Sequence, residues 1–246
     1  MFHLRLQRRF TMIAIIGAMQ EEINEIVKRM DSHQEQIIDG CKFYHGMLNG
    51  SEIVAMLSGI GKVEAALSTV ICLKNFAIDG IINIGTAGGL HPDQEVLDVV
   101  LSTQTAYHDF DLTAFGEARG FASSRYVCTA EPRYIDAFKR VIGKARHWIG
   151  PIVSGDQFVA DPIAVAQIKS AFPDAICVEM EGASIAHTAG RFKIPFVILR
   201  SLSDIAGKHG NAMTFDEYLV QASAHSAQWC YEVMPLLRGD NDAYVA

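Results

Sequence analysis

The chain has 246 residues, half of them hydrophobic, and a formal net charge of -7. That length suits one α/β domain with a large core, and the acidic balance argues against nucleic acid or an anionic membrane as the main partner, since both need a positive face. The five cysteines (Cys41, Cys72, Cys128, Cys177 and Cys230) are widely spaced with no C-x-x-C pair, which argues against structural zinc or a disulfide framework and fits reduced thiols in a cytoplasmic protein.

Residues 1–11 carry Arg5, Arg8 and Arg9 but no apolar stretch of a secretory signal. They read as a disordered or non-native extension ahead of a single domain over 12–246, and no apolar run is long enough to span a membrane. Met12 to Ile16 is a continuous apolar run, the pattern of a strand buried on both faces. Gly17-Ala18-Met19 is a turn, and Gln20 to Met30 reads as a helix with Ile23, Ile26, Val27 and Met30 at helical spacing. Glu21 and Glu22 fall in its first turn, where acids complement the helix dipole. Strands at 37–48 and 51–57 flank Asn49-Gly50, a type I′ hairpin signal. Ser58-Gly59-Ile60-Gly61-Lys62 then opens a helix over 63–75. Glycines at such a turn let the backbone approach a ligand, or serve only to start the helix.

Gly80 to Ile84 reads as another buried strand, and the small residues Gly85-Thr86-Ala87-Gly88-Gly89 behind it leave room for a ring to lie against backbone. A strand over 96–103 leads to a loop with His108, Asp109 and Asp111. H-x-D spacing invites a metal, but no further ligand accompanies it, so the loop reads as merely polar. A helix over 133–144 and a strand over 148–153 precede the loop Ser154-Gly155-Asp156-Gln157-Phe158-Val159, and Pro162 opens a helix to Ala171. Ile176-Cys177-Val178-Glu179-Met180-Glu181 is an apolar strand end with two carboxylates around a methionine. The acids share one face if the strand continues; all three side chains converge if it turns. A helix over 182–192 and a buried strand over 196–199 lead to Arg200-Ser201-Leu202-Ser203-Asp204. Thr214 and Glu217 form a capping box for the last helix, which ends near Leu237. Alternating strands and helices imply a mostly parallel sheet. The polar and small-residue signals recur at strand ends, and one cavity lined by all of them is the economical reading.

The segments IIGAMQEEI (15–23), SGIGKVEAAL (58–67), INIGTAGGL (82–90), YHDFDLTAFG (107–116), VSGDQFV (153–159), VEMEGASIAH (178–187) and FVILRSLSD (196–204) resemble the nucleoside phosphorylase and nucleosidase superfamily. Within it they are most similar to the bacterial 5′-methylthioadenosine/S-adenosylhomocysteine nucleosidases. The resemblance implies a three-layer, single-domain α/β fold with a central mixed, mostly parallel sheet flanked by helices. It implies cleavage of the N-ribosidic bond of a 5′-modified adenine nucleoside by water, with no metal and no cofactor. By resemblance Glu22 activates the water, Asp204, oriented by Ser203, gives a proton to N7 of adenine, and Glu181 takes the ribose hydroxyls. Phe158 stacks on the base and Val159 pairs with its edge. Thr86, Ala87 and Gly88 line base and ribose. Met19, Ile60 and Phe215 line the ribose and 5′ side. Val178, Glu179 and Met180 form a sugar platform, and Arg200 pairs with Glu22 or Glu179. A homodimer is implied, in which the divergent segment 117–132 reaches the partner's 5′-substituent pocket. Gln20 stands where an acid is common, and Thr86 where serine is common. The alternatives are another 5′-modified adenosine as substrate, or phosphate as the nucleophile. Carboxylates around Met19 to Glu22 would repel phosphate.

Overall fold

The structure is a computed structural model and describes residues 12–122, 126–205 and 214–238. Strand β1 (Ile13–Gly17) leads into helix α1 (Gln20–Val27). Strands β2 (Ser32–Ile38), β3 (Cys41–Leu48) and β4 (Ser51–Leu57) follow, then helix α2 (Lys62–Asn75). Strands β5 (Gly80–Gly89), β6 (Val99–Tyr107) and the two-residue β7 (Cys128–Thr129) come next. The chain continues through helix α3 (Pro132–Ile142), strand β8 (His147–Ser154), helix α4 (Pro162–Ala171), strand β9 (Cys177–Glu179), helix α5 (Gly182–Phe192), strand β10 (Phe196–Ile205) and helix α6 (Phe215–Arg238).

All ten strands join one mixed sheet. At its centre β4, β1, β5 and β10 are parallel neighbours. The antiparallel pair β3 and β2 extends the β4 side. On the other side the sheet closes on itself. β10 pairs with β6, β6 with β8, β8 with β9, and β9 with the last residues of β5. Strands β5, β10, β6, β8 and β9 therefore form a ring, and the ends of β8 and β9 are carried back over the ends of the parallel set.

Strand β1 is buried on both faces. Ile13 and Ile15 pack with Ile23, Ile26, Phe138 and Met234, while Ala14 and Ile16 pack with Ala65, Cys72, Ile185 and Ala189. Helices α1, α3 and α6 thus cover one face and α2 and α5 the other, which makes three layers of one domain. Each fully buried isoleucine here contributes roughly 1.5–3 kcal/mol.

Several boundaries differ from the sequence expectation. The single strand expected over 37–48 is the end of β2 and all of β3, joined at Asp39-Gly40. Both residues have positive φ (48° and 80°), as do Asn49 and Gly50 (46° and 69°), so Asp-Gly makes a second tight hairpin where only Asn-Gly was expected to. Helix α1 ends at Val27 instead of Met30, its last turn tightening through Arg29 N–H to Ile26 O and Met30 N–H to Val27 O. Strand β6 is shifted to 99–107 because Leu97, at φ 71°, cannot continue an extended run. Strand β5 runs on to Gly89 and β10 to Ile205, because the two pair with each other along this whole length. The small residues Thr86 to Gly88 and the acid Asp204 therefore sit on strands, not on loops. The capping box is present: Thr214 N–H donates to Glu217 Oε2 at 2.9 Å and Glu217 N–H to Thr214 Oγ1 at 3.3 Å. The extension expected at 1–11, and residues 123–125 of the divergent segment, lie outside the described residues.

Candidate active site

Glu22 stands in the first turn of α1 and is buried. Its Oε2 accepts the Ala18 N–H at 2.9 Å and the Met19 N–H at 3.0 Å. These are free helix-start amides, so the carboxylate caps its own helix. Burial lifts its pKa from 4.5 to about 7, against the opposing pull of the Met19 amide and the Arg200 charge. The other oxygen, Oε1, lies near Gly85: a Cβ there would stand 3.5 Å from it and 2.2 Å from Arg200 Nη1. Only bare backbone at position 85 admits both groups.

Arg200 is almost wholly buried on β10. Its Nη2 donates to Asn83 Oδ1 at 2.8 Å and to Glu179 Oε2, and lies 3.8 Å from Glu181 Oε2. Asn83 is oriented in turn by donating from Nδ2 to Ile16 O at 2.9 Å. Arg200 Nε and Nη1 have no hydrogen-bond partner among the described residues. The contacts make Glu179 the hydrogen-bonded partner of Arg200. Glu179 also accepts from Ser154 Oγ, from the Glu181 N–H at 3.1 Å and from the Gly182 N–H at 2.7 Å. Burial would raise its pKa, but Arg200 and these donors outweigh it and hold the group below the usual carboxylate range.

Glu181 is the N-cap of α5. Its Oε1 accepts the Gly61 N–H at 2.9 Å. Burial and the neighbouring Glu179 charge push its pKa up. The two acids of one strand end thus have opposite protonation tendencies: Glu179 is hydrogen-bonded to the guanidinium, whereas Glu181 stands 3.8 Å from it without a hydrogen bond.

Asp204 owes its direction to a β-bulge. The register of β10 against β5 skips Ser203 between Leu202 and Asp204. Phe196, Ile198 and Leu202 face one core cluster, and Ile205 rejoins that cluster at an odd spacing only because of the extra residue. Ser203 and Asp204 are left facing the cavity. Ser203 Oγ donates to Asp204 Oδ1 at 2.6 Å. Asp204 Oδ2 faces Gly88, where a Cβ would stand 3.4 Å away. Gly85 and Gly88 mark where Glu22 and Asp204 approach β5, and three residues of strand separate those places by roughly 10 Å.

These groups line a cavity of about 260 Å³, near the lower end of small-molecule sites at roughly 300–1,000 Å³. Every site residue expected from the sequence lies on its wall: Met19, Glu22, Ile60, Thr86, Ala87, Gly88, Phe158, Val159, Val178, Glu179, Met180, Glu181, Arg200, Ser203, Asp204 and Phe215. Ala18, Gly85 and Gln157 line it as well, although the sequence reading gave them no role beyond their motifs. Phe158, Ile60 and Phe215 are exposed at the mouth, whereas Val159 and Val178 are buried. The support given by Asn83 and Ser154 had no local signal, since each partner lies far away in sequence. Among the described residues no group of three or more His, Cys, Asp or Glu is set to hold a metal. Asp109 instead takes the ammonium of Lys62 at 2.6 Å.

The model of the phosphorylase superfamily matches residues 12–234. The 5′-methylthioadenosine/S-adenosylhomocysteine nucleosidase of Hydrogenovibrio crunogenus is 43% identical over 230 residues, covering 92% of this chain and 99% of its own. The solved structure of the enzyme of that name from Neisseria meningitidis, in complex with methylthio-immucillin-A, is 39% identical with a TM-score of 0.83, covering 91% of this chain and 98% of its own. The corresponding structure from Colwellia psychrerythraea, in complex with adenine, is 37% identical with a TM-score of 0.85, covering 93% and 96%.

Proposed function

The chain belongs to the phosphorylase superfamily, and from its similarity to the nucleosidases within it we propose that it is an N-ribosyl hydrolase releasing adenine from 5′-methylthioadenosine and S-adenosylhomocysteine. The reaction makes an oxocarbenium-like sugar and a purine anion that leaves poorly until N7 is protonated. It needs one base at the water and one acid at the purine, and each such group typically contributes about 10²–10⁴-fold.

The observation that carries this reading is the pairing of Glu22 and Asp204 in one cavity. Glu22, with a pKa of about 7, is matched to proton abstraction at neutral pH. Its Oε2 is engaged by two amides, which leaves Oε1 for water beside Gly85 and Arg200. Asp204 Oδ1 is engaged by Ser203, which leaves Oδ2 to hand a proton to N7 above Gly88. Glu181 lies beside the ribose hydroxyls, and its charge with that of Glu22 favours the cationic sugar. Phe158 covers one face of adenine, Thr86 to Gly88 and Val159 take its edges and other face, and Val178 and Met180 floor the sugar. Met19, Ile60 and Phe215 surround the 5′-substituent.

Water is favoured over phosphate because Glu179 already claims the single guanidinium of the cavity, Arg200, which leaves the carboxylates of Glu22 and Glu181 without a hydrogen-bonded cation. A dianion there meets net repulsion. The test is adenine release from both nucleosides with and without phosphate. Phosphate-independent release is expected; strict phosphate dependence and a ribose 1-phosphate product would refute the hydrolase.

The same reading takes residues 12–246 as one nucleosidase domain working as a cytoplasmic homodimer. Ile60, Val63 and Leu67 are exposed at and beyond the start of α2, and Phe115 is exposed nearby in sequence to the divergent segment. These apolar side chains give a second copy a surface to cover. No helix among the described residues is long and apolar enough to cross a membrane. Light scattering on the purified chain tests the dimer.

A further inference from the structure

Two loops hold the two halves of the nucleoside in the proposed reaction. Residues 58–62, at the start of α2, carry Ile60 on the ribose side, and residues 154–159 carry Phe158 and Val159 on the base side. We propose that Lys62, Asp109 and Asp156 are positioning residues that clasp these loops together and set the spacing of the base and ribose subsites. This rests on the nucleosidase reading above.

The clasp has four contacts on three segments remote in sequence. Lys62 Nζ donates to Asp109 Oδ2 at 2.6 Å and lies 3.6 Å from Asp156 Oδ2. The Lys62 N–H donates to Asp156 Oδ1 at 2.7 Å, and the Asp156 N–H donates to Asp109 Oδ2 at 2.9 Å. One oxygen of Asp109 thus holds the tip of the ribose-side segment and the backbone of the base-side loop together. Lys62 Nζ also stands 5.5 Å from the centre of the Tyr107 ring, which helps fix its direction.

Gly61 makes the approach sterically possible. Its φ is +91°, and a Cβ there would stand 3.0 Å from Asp156 Oδ1. Two consecutive amides of this turn then divide their work. Gly61 N–H goes to Glu181, the group assigned to the ribose hydroxyls, and Lys62 N–H goes to Asp156 of the base loop. The position of the ribose acceptor is therefore tied through one peptide unit to the loop that holds adenine. None of the three clasp side chains lines the cavity, so they act through the loops and not on substrate.

A substrate whose two halves are covalently joined binds better than either alone only when both subsites sit at the right separation. Loosening the clasp weakens the joined ligand more than adenine alone. The experiment compares wild type with Lys62→Met, Lys62→Arg and Asp109→Asn. Calorimetry gives the Kd of adenine and of a non-hydrolysable carbon-linked analogue of 5′-methylthioadenosine, and steady-state assays give kcat and KM. Lys62→Met should weaken the analogue and lower kcat/KM about 10–100-fold, as misplacement by about 1 Å can do, with adenine affinity within about threefold of wild type. Lys62→Arg should recover most of the loss, and Asp109→Asn should follow Lys62→Met. Equal losses for adenine and analogue, or no loss for either, overturn the clasp. If Lys62→Met does not fold, the same comparison on Asp109→Asn decides. Wild type that releases no adenine refutes the proposed activity instead, and the two binding constants still judge the clasp.

Discussion

Replacing Glu22 with glutamine should make the protein more stable and nearly inactive. The folded-state pKa of Glu22 lies above its ordinary value, about 7 against 4.5. The native state therefore binds more protons than the unfolded state between those values, and stability falls as pH rises through that window. At about 1.4 kcal/mol for each tenfold change in acidity, keeping this buried carboxylate charged costs roughly 3 kcal/mol above pH 7. Glutamine keeps an oxygen for the Ala18 and Met19 amides and removes the titration. The variant should match wild type near pH 4.5 and gain steadily to a plateau above pH 7. In a chain of this size the plateau corresponds to roughly 6–12 °C in Tm. Thermal unfolding at half-unit pH steps reads the difference directly, and the same samples assayed for adenine should show about a 10²–10⁴-fold loss of turnover. A variant less stable than wild type at pH 8, or offset by the same amount at every pH, would refute the reasoning.

Three further outcomes follow from the same geometry. Asp204→Asn, which keeps the Ser203 contact but carries no transferable proton, should lose most of kcat while KM changes little; unchanged kcat in steady-state assays removes Asp204 from the acid role. Phe158→Ala should raise KM about 5–150-fold, since stacking on a base is worth about 1–3 kcal/mol, with its Tm near wild type because the ring is exposed. Arg200→Met leaves Glu179 buried without its cation and should cost about 3–5 kcal/mol in urea unfolding, and Glu179→Gln in that background should restore part of it.

The cavity walls were legible in the sequence because their signals are local: glycines after strands, an acid in the first turn of a helix, an aromatic beside an apolar residue. What stayed hidden depends on partners far along the chain. Glu179 and Glu181 looked equivalent within the stretch Ile176 to Glu181. Their division of labour comes from Arg200, Ser154 and Gly61, which no window around residue 180 contains. The burial of Glu22 depends on Arg200 and the body of the sheet, so a helix-dipole acid and a poised base look alike in sequence. The bulge at Ser203 has no signature of its own, and Leu-Ser-Asp reads as plain alternation. Asp39-Gly40 was the same hairpin signal as Asn49-Gly50 and was hidden only by the apolar residues around it.

The closure of five strands into a ring bears on how the molecule opens as well as on where its groups point. An ordinary open sheet frays from two edges, but here β2 and the short β7 are the only strands with a single partner strand among the described residues. Strand β2 is mostly exposed and rich in polar residues, a composition that resists strand addition by other chains. Amide hydrogen exchange should therefore run as a gradient, fastest at β2 and slowest in the central parallel strands β1, β5 and β10, each of which has a partner on both sides. Arg200 and Asp204 stand on β10, and Gly85 and Gly88 on β5. The catalytic frame is thus set in the part of the sheet that opens last, and the outer hairpin can exchange with solvent without disturbing it.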